Sequence, residues 1–223
     1  MSKPDKAPVK ITVWDLPTRI FHWTLVALVA SAFATVEAGG NWMIWHMRCG
    51  FSILALLGFR LVWGVVGGRN VRFTAFVRGP LTVWQYARQL MRKDAPRHLG
   101  HNPMGGWSVV AMLGVLLVQA GTGLFANDDI FTEGPLFPLV SKASSDLITQ
   151  IHKINQGVLI ALIALHLGAI FFYLIVKRDN LIRPMITGKK EWHEAVPEAD
   201  GRLWLAAVIA ALSAVGVYFL VSG

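Results

Sequence analysis

The stretch IHKINQGVLIALIALH, residues 151–166, carries a histidine near one end and another at the other, and only Lys153 is charged between them. Fourteen residues separate His152 from His166, which in an α-helix is just under four turns, about 21 Å of rise, with both imidazoles on nearly the same face. The apolar run continues to about residue 176, a length that suits lipid better than the core of a soluble domain. An imidazole in hydrocarbon keeps a donor and an acceptor that need partners, so each histidine is either bonded across helices or a ligand.

Working outward, further apolar blocks cover about 20–36, 45–66, 104–125 and 203–221, beside 148–176. The 223 residues are 54% apolar and 15% charged with a mean hydropathy of +0.51, the composition of a small bundle of spanning helices. Residues 1–13 form a polar, basic leader, and Ile20–Val36 lacks a small-residue cleavage site after it, so this run reads as a retained helix. The expected architecture is an all-α membrane protein: a four-helix transmembrane bundle over residues 1–190, then a linker and a fifth, C-terminal transmembrane helix over 191–223. Asn102-Pro103 makes a start for the third span, Asn as cap and Pro in the first turn.

The formal net charge of +8 would suit nucleic acid, but no soluble basic module is present and the cations sit in particular loops. Gly67–Pro103 carries Arg69, Arg72, Arg78, Arg88, Arg92, Lys93 and Arg97 against Asp94 alone, whereas Ala126–Leu147 has Lys142 against Asp128, Asp129, Glu133 and Asp146. By the positive-inside rule the first loop is cytoplasmic and the second external. The basic segment Lys177–Arg202 falls inside too, which puts the N-terminus in the cytoplasm and the C-terminus outside. Residues 67–103 mix Phe73, Phe76, Leu81, Trp84, Tyr86 and Leu90 with the arginines, the pattern of a helix lying on the inner surface.

His98, His101 and His193 fall in the inner loops, while His22, His46, His152 and His166 fall within or at the ends of spans. The topology then matches levels: His22 begins an outward-running helix, His46 begins an inward-running one, and the helix of residues 151–166 also starts outside. His46 thus shares a level with His152, and His22 with His166. Two imidazoles facing each other across a bundle suit low-spin haem iron, whose axial positions they fill, leaving the metal to change oxidation state. A structural zinc site wants four ligands at one level, and no Cys or carboxylate joins either pair. Cys49 is the single cysteine, so CxxCH attachment is excluded and any haem is non-covalent.

Other residues fit around such groups. Gly50 lies one turn after His46 on the same face, and Gly121 and Gly123 lie near the outer end of the third span; each permits close approach of a flat ring or ordinary tight helix packing. Haem propionates are anionic, which makes Arg48 and Lys153 candidates at the outer level and Arg19 and Arg60 at the inner one. Arg48 and Arg60 interrupt the second span, and each is a site residue or a snorkelling one. Asp15, Thr18 and Arg19 lie where a quinone could exchange protons, although Asp15 equally suits a helix cap.

Five segments, WDLPTRIFHW (14–23), HMRCGFSILALLGFRLVWG (46–64), GHNPMGG (100–106), IHKINQGVLIALIALH (151–166) and KRDNLIRPMITGKK (177–190), resemble the bacterial cytochrome b561 and nickel-iron hydrogenase b-type cytochrome family. The resemblance implies a bacterial inner-membrane protein with two haem b groups on His22, His46, His152 and His166, in the same pairing. It also implies exchange with the quinone pool near the cytoplasmic haem and with a periplasmic redox protein, a c-type cytochrome or a dehydrogenase or hydrogenase subunit. The fifth helix goes beyond the family's four.

The leading functional expectation is therefore a transmembrane electron conduit between quinone and a periplasmic partner, bathed in membrane lipid, with a homo-oligomer compatible. The acidic outer loop with Asp128, Asp129 and Glu133 would suit a basic partner. The alternative is a stand-alone oxidoreductase, such as a superoxide:quinone oxidoreductase, acting at the periplasmic haem, for which rapid haem reduction by superoxide would discriminate. A non-redox transporter or scaffold would show no bis-histidine haem spectrum.

Overall fold

In the computed structural model of the protein, residues 9–92, 97–192 and 202–222 are described. Lys93, Asp94 and His193, and the start of the basic leader, lie outside them. Among the described residues, five helices are long and apolar enough to cross a membrane. They are α1 (Leu16–Ala38), α2 (Met43–Val66), α5 (Pro103–Gly123), α6 (Lys142–Ile175) and α8 (Leu203–Ser222), with short helices α3 (Phe73–Phe76), α4 (Pro80–Gln89) and α7 (Ile182–Thr187) between them.

Local chemistry explains the boundaries. Asp15 caps α1, its Oδ1 accepting the Thr18 N–H at 2.9 Å, with Pro17 in the first turn; the helix therefore starts before the apolar block does. Asn102 caps α5 in the expected way, its Oδ1 accepting from Gly105 N–H at 2.8 Å. The largest departure is α6, which starts at Lys142 rather than about 148 because Ser141 caps it and its polar first turns bond to the preceding loop. At 34 residues it is about 51 Å long, more than the roughly 30 Å of hydrocarbon, so its ends project beyond lipid.

Helix α2 is the centre of the bundle, packing on α1, α8 and α5, and α6 packs on α5. Neither α1 nor α2 has comparable packing against α6, so the α1–α2 pair and the α5–α6 pair meet through α2 and α5. Core residues Leu57, Phe59, Trp63, Leu113, Leu116 and Leu159 lie along these contacts, while the outward residues of α6 and α8, such as Leu165, Ile175, Leu212 and Phe219, are exposed apolar surface suited to lipid.

At one end of the bundle a feature appears that the apolar pattern did not show. Strands β1 (Val9–Thr12) and β2 (Lys189–Trp192) pair antiparallel, Val9 opposite Trp192 and Thr12 opposite Lys189. They fasten the chain before α1 to the chain after α7. Arg19 donates to Ile186 O and Trp23 to Met185 O, which satisfies carbonyls near the end of α7. We call this the strand end, and the opposite one, with residues 124–141, the loop end. The described parts of the 67–103 connection are at the strand end, where α4 buries Tyr86 and exposes Leu81 and Trp84.

Candidate functional site

His152 of α6 faces a histidine of the opposite helix pair, and His166 lies in the field of another. At the loop end, His46 and His152 present rings with centroids 6.3 Å apart at 83°. Two metal–nitrogen bonds of about 2 Å each, with ring centres about 1 Å behind each nitrogen, add to about 6 Å, so this spacing suits one metal held between two imidazoles.

Hydrogen bonds decide which nitrogen of each ring would do the holding. His46 Nδ1 lies 2.9 Å from Ala32 O; a carbonyl only accepts, so Nδ1 carries the proton and Nε2 keeps its lone pair. His152 Nδ1 lies 3.1 Å from Thr122 Oγ1, whose own hydrogen points to the carbonyls of Val118 (2.6 Å) and Gln119 (3.1 Å). The hydroxyl therefore accepts, and His152 has the same tautomer. Consistent with this, the Gln119 amide donates to His152 Nε2 at 3.0 Å, itself steadied by Asn155 donating to Gln119 Oε1 at 2.7 Å. Both rings carry the oriented Nδ1–H that fixes a metal-binding imidazole.

At the strand end, His22 and His166 stand within electrostatic range of each other. The His22 ring sits edge-on to Trp23 at 5.0 Å, and its Nδ1 is sealed from solvent without a partner. All four histidines are half-buried. Among the described residues no group of three or more His, Cys, Asp or Glu stands close enough to hold an ion; a pair of imidazoles is a donor set that would suit a b-type haem.

The cations separate sharply. Arg60 is 3% exposed: it donates Nη2–H to Val71 O at 3.1 Å and lies over the Phe73 ring at 4.9 Å, while Nη1 is sealed and unpartnered. It does not snorkel. Arg48 is exposed and lies over the Trp45 ring at 4.7 Å, and Lys153 is exposed beside His152. Arg19 is half-buried, bonded to Ile186 O through Nη1 with Nε sealed and unpartnered. A Cβ built on Gly50 would meet nothing within 4 Å, and neither would one on Gly121, whereas on Gly123 it would lie 3.2 Å from His152 Cε1. Of the three glycines, Gly123 is the one that gives a histidine its room.

Asp15 is buried and acts as more than a cap. Its second oxygen accepts from Trp63 Nε1 at 3.1 Å, joining the start of α1 to the end of α2, and its charge lies in the field of Arg60.

His101 lies in the loop before α5, as expected, but it is not a solvated loop residue. Its ring is packed between Trp14 and Phe76, each with centroid 4.6 Å away, and its Nδ1 is sealed and unpartnered. Burial, with Arg60, His166 and His22 in its field, lowers its pKa to about 3, so it is neutral at pH 7. The motif GHNP placed His101 just before a helix start, but nothing local in it showed that Trp14 and Phe76 would enclose the ring. Asn102 pins that start further, donating Nδ2–H to Tyr173 Oη at 2.8 Å, with Tyr86 Oη 2.7 Å beyond. His98 likewise has a sealed nitrogen, Nε2, and meets Tyr86 edge-on.

No curated protein and no solved structure matches this chain. A family model described as prokaryotic cytochrome b561 matches residues 13–188, from just before α1 to the end of α7, with both histidine pairs inside the match and α8 outside it. That family implies b-type haem binding, which the donor sets fit; with its five apolar helices and a family match over most of its length, the chain belongs to the prokaryotic cytochrome b561 family of bacterial membrane proteins.

Proposed function

We propose that the chain carries electrons across the membrane through two b haems, one at the loop end between His46 and His152 and one at the strand end between His22 and His166. The observation that carries this reading is the loop-end pair, His46 and His152 with ring centroids 6.3 Å apart, with His166 about 21 Å further along the same helix in the field of His22. When bound, such a group would supply one-electron chemistry, His46 and His152 holding one haem and His22 and His166 the other. The chain's own part is to hold the rings. Ala32 O and Thr122 Oγ1 orient His46 and His152 and raise the basicity of their Nε2 atoms.

The strand end carries the cationic connection 67–103 and the basic segment after α6, and by the positive-inside rule it faces the cytoplasm. Quinone exchange is proposed there, and exchange with a periplasmic redox partner, a c-type cytochrome or a dehydrogenase or hydrogenase subunit, at the loop end. The loop end supports the latter with exposed Asp128, Asp129 and Glu133 beside Phe131, which is 96% exposed. Complementary charge would steer a basic partner to it.

The test is a haem count and a reduced-minus-oxidised spectrum for the wild type beside His46→Ala and His166→Ala. Each variant is expected to lose one haem, a different one in each, with the remaining haem still low-spin. Retention of both haems in either variant refutes the assignment.

A further inference from the structure

Among the described residues, the side-chain nitrogen and oxygen atoms that are sealed from solvent and unpartnered are Thr18 Oγ1, Arg19 Nε, His22 Nδ1, Arg60 Nη1, His98 Nε2 and His101 Nδ1. All belong to the strand end. Buried polar groups are nearly always bonded, so six at one end call for a common explanation. Guanidinium groups are donors, a hydroxyl can donate or accept, and a neutral imidazole can carry its N–H on either nitrogen. An oxygen acceptor complements all of them when each unpartnered imidazole nitrogen is the protonated one.

Arg60 narrows the acceptor to an anion. It is a buried cation, and none of the ion pairs among the described residues includes it. Asp15 is the carboxylate in its field, but the Asp15 oxygens are engaged by Thr18 N–H and Trp63 Nε1–H. A buried guanidinium without an anion of its own is costly, and a carboxylate would meet that need with charge-assisted hydrogen bonds. His101 is its electrostatic neighbour, and the same field includes His166 and His22. The ring of His101 is held by Trp14 on one element and Phe76 on another, so its unpartnered nitrogen is a fixed group rather than a wandering one.

We propose that His101 and Arg60, through the sealed Nδ1 and Nη1 atoms, form a donor pair that binds a propionate carboxylate of the haem held by His22 and His166. This rests on the two-haem reading above and adds a cofactor-binding residue that the span pattern did not contain. Asn102 serves the pair indirectly, since its bonds to Gly105 N–H and Tyr173 Oη fix the backbone next to His101.

The test uses the full chain in nanodiscs, stripped of haem and refilled with either protohaem or protohaem dimethyl ester, whose esters carry no charge. With protohaem, His101→Leu is expected to bind the strand-end haem about tenfold more weakly and to lower its midpoint potential by about 59 mV, a tenfold shift in a one-electron equilibrium. The sign follows because a propionate left with fewer donors favours the ferric state. His101→Gln, which keeps a donor, restores most of both. With the dimethyl ester, wild type and His101→Leu are expected to coincide.

An equal effect of His101→Leu on both haem forms means a packing role and overturns the proposal. So does an unchanged potential and retention with slowed quinol oxidation, which would assign the donors to a quinone oxygen. If His101→Leu does not fold, Arg60→Gln is put through the same comparison, with the same outcomes deciding. Failure of the two-haem reading looks different: the wild type itself would then lack a haem that His22→Ala and His166→Ala remove.

Discussion

His46 and His152 come from different helix pairs and face each other at 6.3 Å and 83°, each with its Nδ1 next to an oxygen, Ala32 O for one and Thr122 Oγ1 for the other. The two rings are thus prepared in the same tautomer. One acceptor is main chain and cannot be removed by mutation; the other is a hydroxyl and can.

Thr122→Val keeps the shape of the side chain and removes the acceptor. The His152 ring then loses its orientation and becomes a less basic ligand, so the loop-end haem is expected to bind about tenfold more weakly and to shift to higher potential. The strand-end haem stays unchanged. Potentiometric titration of the haem absorption bands reads both, and an unshifted loop-end potential would show that the Thr122 contact is incidental.

Gly123 tests the room around the same ring. A Cβ there would stand 3.2 Å from His152 Cε1, so Gly123→Ala displaces the ring slightly, and Gly123→Val, which adds branched bulk, is expected to expel the loop-end haem. Electron paramagnetic resonance should show the shift of one low-spin signal in the first variant and its loss in the second. Gly121→Ala, where a Cβ meets nothing within 4 Å, serves as control with both signals intact.

Asp15 joins a helix cap to a tryptophan on another helix. Asp15→Ala leaves the Thr18 N–H uncapped, at about 1 kcal/mol, and leaves Trp63 Nε1–H buried without an acceptor, at about 1–3 kcal/mol. Thermal unfolding followed by circular dichroism is expected to show a lower Tm. Asp15→Asn keeps an oxygen for the cap and should lose less; equal losses would contradict a hydrogen-bonding role.

The loop after α5 depends on Asp128, whose carboxylate accepts from the backbone N–H groups of Thr132, Ile130 and Phe131 at 2.8, 2.9 and 2.9 Å. These bonds hold it well below the usual carboxylate range. A group with a depressed folded pKa contributes stability that is complete above its unfolded value, about 3.9, and is lost as pH falls through the folded one. Hydrogen exchange at residues 130–132 is therefore expected to keep its protection from pH 7 to 4.5. In Asp128→Ala those amides should exchange about tenfold faster at pH 7, and no change would show that the loop is held by other contacts.

How much of this was legible beforehand follows from the range of the interactions. Helix rise and phase are local properties, so 14 residues between His152 and His166 set their separation and shared face without any tertiary information. Hydrophobic length announced the spans, and Asn102-Pro103 announced the start of α5, because capping acts within one turn. The fates of Arg48 and Arg60 were not legible: both interrupt α2, yet one lies exposed over Trp45 and the other is buried against Phe73, a residue 13 positions further on. His101 was hidden for the same reason. Its neighbours Trp14 and Phe76 come from segments far apart in the chain and meet it only when α1, α3 and α5 pack together. The sequence by itself determined the spans and the four membrane histidines, because both rest on local periodicity and the cost of polar groups in lipid. The tertiary structure alone decided which donors are left buried and unpartnered, because that depends on what every other helix has brought to the same end.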